Sequence, residues 1–174
     1  MNYANIKFND IANGEGVRVS LFVSGCTHHC KNCFNKIAWD FNYGKEFTRE
    51  VEDKIIKALA PDHINGLTLL GGEPLEPQNQ EALLPFVKRI REKFGNKKNI
   101  WCYTGFLFDK DLQNNGRVHK PFTDELLQNI DVLVDGPFVE DLKNISLKFR
   151  GSSNQRIINL PETFKQNEVV LKAI

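Results

Sequence analysis

The run Val17-Arg18-Val19-Ser20-Leu21-Phe22-Val23-Ser24-Gly25-Cys26-Thr27-His28-His29-Cys30-Lys31-Asn32-Cys33-Phe34 decides how the chain is read. Residues 17–23 are mostly β-branched or apolar, the composition of a strand. The cysteine loop begins where that strand ends, with the spacing C-x3-C-x2-C. Thiolates are soft ligands that select zinc, Cu(I) or iron–sulfur clusters. A [4Fe–4S] cluster ordinarily takes one cysteine per iron, so Cys26, Cys30 and Cys33 would leave one iron open to a substrate. The competing use is structural zinc, which is closed and four-coordinate. It usually draws on two well-separated ligand pairs, which this chain lacks. A fourth ligand from His28 or His29, wedged within so short a loop, is sterically awkward.

Outward from this loop, apolar β-formers alternate with helical periodicity. Strands are expected at 17–23, 67–70, 100–104, 132–134 and 157–160, and helices at 48–60, 80–94 and 123–129, the last capped by Thr123. This alternation reads as α/β with a mainly parallel sheet. Pro85 is tolerated only near a first turn, which leaves the start of the second helix open. The polar stretch 109–121, with Asn114-Asn115-Gly116, reads as a surface loop or a partner-facing insertion, and 165–174 as a fraying tail. Cys102 and Trp101 read as core. Chemically loaded residues fall where strands end: Cys26, Gly71-Gly72-Glu73-Pro74, Thr104-Gly105 and Asp135-Gly136. Ligands bind at the carboxyl ends of parallel strands. About five strands are too few to close an eight-stranded barrel. The expected fold is an open, partial (βα) barrel forming one domain over 1–174.

Composition excludes several function classes. With 23 basic and 22 acidic residues the net charge is +1, so nothing draws nucleic acid or an anionic membrane to the chain broadly. No apolar run approaches the ~20 residues that span a bilayer, and the first residues lack a signal peptide's apolar core. A cytoplasmic, reducing setting is the expectation, where clustered cysteines serve metals or catalysis rather than disulfides. Only four cysteines exist, too few for a second cysteine-ligated cluster.

Cys26, Cys30 and Cys33, followed by Gly71-Gly72-Glu73-Pro74, resemble the radical S-adenosylmethionine family, with its C-x3-C-x2-C and GGE motifs. The resemblance implies that S-adenosylmethionine chelates the open iron. It further implies reductive cleavage to methionine and a 5′-deoxyadenosyl radical, which abstracts a hydrogen atom from the substrate. Gly71 and Gly72 would let backbone approach the cofactor, and Glu73 or nearby carbonyls would accept from its ammonium group. Asn32 departs from the family's usual aromatic or large apolar residue, so adenine contacts are implied through the Asn32 backbone and Phe34. Thr104 and Asp135 are further candidates for the cofactor site; their plainer uses are a strand cap and a turn.

A closer resemblance, from about residue 10 to 160, is to the glycyl-radical activases that serve the anaerobic ribonucleoside-triphosphate reductase. It rests on Asn13-Gly14-Glu15-Gly16-Val17-Arg18, Cys33-Phe34-Asn35-Lys36 with Trp39, Trp101-Cys102-Tyr103-Thr104-Gly105, Val134-Asp135-Gly136-Pro137 and the segment from Arg150 to Arg156. It implies hydrogen abstraction from a glycine of the reductase's large subunit, with a low-potential flavodoxin or ferredoxin as electron donor. The Arg150 to Arg156 segment would grip the cofactor's carboxylate or the partner chain. Two other readings stay open: a small-molecule radical enzyme of the deazapurine ring-contracting type, and a zinc-stabilised interaction module without catalysis.

Overall fold

A computed structural model describes all 174 residues. The strands are β1 (Asn2–Asp10), β2 (Val17–Val23), β3 (Lys45–Glu46), β4 (Ile64–Gly71), β5 (Asn99–Tyr103), β6 (Val132–Asp135) and β7 (Arg156–Asn159). They form one seven-stranded sheet in the order β3-β1-β2-β4-β5-β6-β7. The neighbours β2, β4, β5 and β6 run parallel, while β1 and β7 are antiparallel to the strands beside them. The expected count of five strands is therefore corrected to seven, in an open mixed sheet. β1 is polar and asparagine-rich, with two register shifts along β2, and β3 spans two exposed residues. Their backbone pairing, not their side chains, makes them strands.

Helices α1 (Arg49–Leu59), α2 (Pro77–Phe94), α3 (Phe108–Asp111), α4 (Thr123–Gln128) and α5 (Leu160–Gln166) supply the crossovers and the C-terminal cover. α1 turns Ile55, Ile56 and Leu59 inward, and α2 turns in Leu83, Phe86, Val87 and Ile90, against Val19, Leu21, Val23, Leu67 and Leu69 of the sheet. Along β2 the alternation places Arg18 and Ser20 on the opposite face. There Arg18 is fully buried without a carboxylate partner. It donates to Thr68 Oγ1 (2.6 Å), the Leu67 carbonyl (2.6 Å) and Asn99 Oδ1 (2.7 Å), and lies over Trp101. Burial lowers its pKa to about 10.

Three local expectations change. α2 starts at Pro77 and runs through Pro85. Pro85 is exposed, so water can take the carbonyl its ring leaves unbonded. Thr123 does not cap α4: it lies inside the helix, and its hydroxyl accepts from the Lys120 N–H and donates to Gln80. The tail is pinned rather than frayed, since Asn159 N–H donates to the Val170 carbonyl and Lys172 N–H to the Ile157 carbonyl, both at 2.8 Å. Cys102 and Trp101 are core, as expected.

Candidate iron–sulfur site

The carboxyl ends of β2, β4, β5 and β6 share one edge of the sheet, and the loops there are tied together. Gly72 N–H donates to the Val23 carbonyl, Glu73 N–H to Gly25 and Gly25 N–H to Ala38, each at 2.8 Å. Cys26 N–H reaches the Trp39 carbonyl at 3.2 Å. Approach this close requires glycine. A Cβ on Gly72 would lie 2.6 Å from the Gly25 carbonyl oxygen and 2.9 Å from that of Ala38. Gly71 has φ +112°, where a side chain is strained whatever the space.

All three loop cysteines are free thiols, partly buried. His29 (φ 49°) and Asn32 (φ 59°) take left-handed backbone, and Cys33 N–H closes a turn onto the Cys30 carbonyl at 3.1 Å. Burial pushes the Cys26 thiol up to about 12, reinforced by Glu73, Glu76 and Cys30. Cys30 is raised by burial and then by Cys33 and Glu73. Cluster binding must therefore release protons, since coordinated thiols are deprotonated. No three His, Cys, Asp or Glu side chains converge closely enough to share one metal ion. A cuboidal cluster asks instead for thiolates spread over separate irons. Three soft donors on one loop, none in a disulfide, fit that demand.

The other candidate residues fall into two groups. Asn32 and Phe34 stand in solvent, Phe34 at 97% exposure. Glu73, Thr104 and Asp135 are buried and engaged with protein. Glu73 Oε1 accepts from Leu75 N–H, while Oε2 accepts from Gly105 N–H and from His28 Nε2, all at 2.8 Å. Thr104 N–H donates to the Val134 carbonyl (2.9 Å), and its hydroxyl accepts from Phe106 N–H (3.1 Å). Asp135 Oδ2 accepts from Phe108 N–H (2.8 Å) and Arg156 Nη2 (2.5 Å), and Oδ1 from Arg156 Nε (2.9 Å). Arg156 is thus spent on carboxylates. Arg150 donates to the Gln155 carbonyl at 2.8 Å.

Sequence reading missed the residues that fasten the loop. Thr27 gives both its N–H (2.8 Å) and its hydroxyl (2.6 Å) to Glu76. Asn79 Nδ2 bridges the carbonyls of Ser24 (3.0 Å) and Glu73 (2.9 Å). Trp39, which the sequence already sets close to the loop, packs on the His29 ring with centroids 4.4 Å apart. The only signal for Glu76 and Asn79 is their position just after the Gly-Gly turn, at the start of α2.

The fold and the thiol loop agree with a family comparison. Residues 12–158 match the family described as a 4Fe-4S single cluster domain, and the chain belongs to that family. Among curated proteins, it is 45% identical over 159 residues to the anaerobic ribonucleoside-triphosphate reductase-activating protein of Haemophilus influenzae, covering 90% of this chain and 97% of that one. It is 44% identical over 162 residues to the protein of the same name from Escherichia coli K12, covering 92% and 99%. The phage T4 protein of that name is 38% identical over 157 residues, covering 90% and 93%. Within the single-cluster class, then, this chain is a member of the activating-protein family of the anaerobic ribonucleoside-triphosphate reductase. No helix is long and apolar enough to cross a membrane.

Proposed function

We propose that this chain is a radical S-adenosylmethionine activase that installs a glycyl radical on an anaerobic ribonucleoside-triphosphate reductase. The observation that carries the reading is the joint between a three-thiol loop and a Gly-Gly turn at adjacent parallel strand ends. Family membership supports the cluster and the reductase as partner. Cys26, Cys30 and Cys33 would hold one [4Fe–4S] cluster, with a coordination position left open for S-adenosylmethionine. When bound, the cluster would supply the single electron for reductive cleavage of S-adenosylmethionine, and hydrogen abstraction from the partner's glycine would follow from that cleavage.

The protein's own part is position and exclusion. Gly71 and Gly72 keep the β4 end bare, so that backbone alone meets the cofactor. The Asn32 backbone and the exposed Phe34 would contact the adenine. Buried Glu73, Thr104 and Asp135 hold the rim of the site rather than offer free side chains. The whole chain acts as one curved domain in a reducing cytoplasm, with a low-potential flavodoxin or ferredoxin as donor.

The test is anaerobic reconstitution with iron and sulfide, then S-adenosylmethionine and dithionite. The expected result is a reducible [4Fe–4S] paramagnetic signal that changes with S-adenosylmethionine, formation of 5′-deoxyadenosine, and a glycyl radical on added reductase. A colourless protein that holds only zinc and is inert toward S-adenosylmethionine refutes the proposal.

A further inference from the structure

One side chain spans the gap between the cysteine loop and the Gly-Gly turn's own acid. His28 lies two residues from Cys26 and two from Cys30. Its side chain is 10% exposed, and its Nε2 faces Glu73 Oε2 at 2.8 Å. A carboxylate only accepts, so Nε2–H is the donor. The ring packs on Phe106, centroids 4.3 Å apart. Gly105 makes room for it, since a Cβ there would lie 2.7 Å from His28 Nε2. Gly105 N–H donates to the same Glu73 oxygen, and Leu75 N–H fixes the other one. The cysteine loop, the turn after β4 and the turn after β5 therefore meet at one buried carboxylate.

We infer that His28 is a positioning residue, setting the cysteine loop's distance from the Gly71-Gly72 turn through its hydrogen bond to Glu73. The inference rests on the proposed function. The cluster's ligands sit on one side of this bond and the backbone that meets the cofactor on the other. The bond thus fixes the separation that chelation of S-adenosylmethionine requires. Thr27 and Glu76 fasten the loop to the start of α2, but His28 alone reaches the acid of the turn itself. Without this donor Glu73 Oε2 keeps only the Gly105 N–H and loses its side-chain tie to the cysteine loop, so the loop should shift away from the turn.

Two variants separate donor from bulk. His28→Phe keeps the ring on Phe106 and removes the donor. His28→Gln keeps an N–H at similar reach. Iron and sulfide content, S-adenosylmethionine affinity and the cofactor-induced change in the reduced cluster's paramagnetic signal are measured on reconstituted protein. Amide hydrogen exchange at Gly105 is measured on iron-free protein. Both variants should hold iron. His28→Phe should weaken S-adenosylmethionine binding by about tenfold or more, blunt the signal change and speed Gly105 exchange; His28→Gln should stay within about threefold of wild type. Wild-type affinity in His28→Phe overturns the inference, as does equal impairment in both variants or loss of iron in both. If the wild-type signal itself ignores S-adenosylmethionine, the radical reading fails and the positioning role with it. Gly105 exchange then reports only whether the bond holds the fold.

Discussion

Asp135→Asn separates a structural carboxylate from a cofactor ligand. Asp135 is wholly buried, and its two oxygens accept three hydrogen bonds, two of them from the Arg156 guanidinium. An asparagine has one carbonyl oxygen and an NH₂ that must face a donor. The change removes a charge-assisted bond, worth about 1.5–3 kcal/mol, and turns donor against donor on a buried group. Arg156 keeps Asp109 at 3.1 Å, which limits the damage to its own charge. The total is on the order of 3 kcal/mol. For a chain of this size that is a fall in melting temperature of roughly 6–12 °C. Urea unfolding of the iron-free protein, followed by circular dichroism, measures it without the cluster. Well below the transition, reconstituted Asp135→Asn should bind S-adenosylmethionine within about threefold of wild type. An unchanged urea midpoint together with lost binding would refute the reasoning and return Asp135 to the cofactor.

Cys30→Ala should abolish 5′-deoxyadenosine formation, whereas Cys102→Ala, deep in the core, should cost on the order of 1 kcal/mol of stability and leave cleavage largely intact. Gly72→Ala should destabilise by about 1–3 kcal/mol, because the Cβ meets two backbone carbonyls that cannot swing aside; an unchanged melting curve would show the turn to be looser than its geometry. Pro85→Ala restores an N–H inside α2 and should raise the melting temperature by a few degrees, read by calorimetry. The Asp109 carboxyl is held low by Arg156. For Asp10, burial pushes upward, but the nearby Ser20 hydroxyl, hydrogen bonds from Asn13 Nδ2 and the Ala12 N–H, and the charge of Lys7 outweigh it. Their stabilisation is full above the ordinary 3.8 and lost as pH falls through the lower folded values, so urea midpoints should drop below that pH, less steeply in Asp109→Asn.

The parallel centre of the fold was legible because each of its strands carries its own apolar run. β2, β4, β5 and β6 are buried on both faces or nearly so, and burial of that kind writes itself into composition. β1 was not legible, since Asn2–Asp10 is half-exposed or exposed everywhere but Asp10 and shifts register twice along β2. Its place comes from β2's free edge, which no local pattern reports. Pro85 misled for a related reason: a proline rule for helix interiors assumes a buried carbonyl, and here both Pro85 and Glu81, four residues before it, are exposed, so water can reach the carbonyl.

In the site, chemistry of residue type was legible and pairing was not. Three cysteines at fixed spacing need no partner to declare a soft-metal loop. A carboxylate after two glycines, by contrast, looks the same whether it waits for a ligand or is already satisfied. What decides Glu73 is His28, which precedes it by a crossover containing α1, and Gly105, which follows it after α2. What decides Asp135 is Arg156, on the strand across from it. Such pairs are fixed by sheet order, and sheet order is what one sequence states least directly. At this rim Glu73 accepts from the N–H groups of Leu75 and Gly105, and Asp135 from that of Phe108, so neighbouring turns already occupy the acceptor sites a cofactor would need.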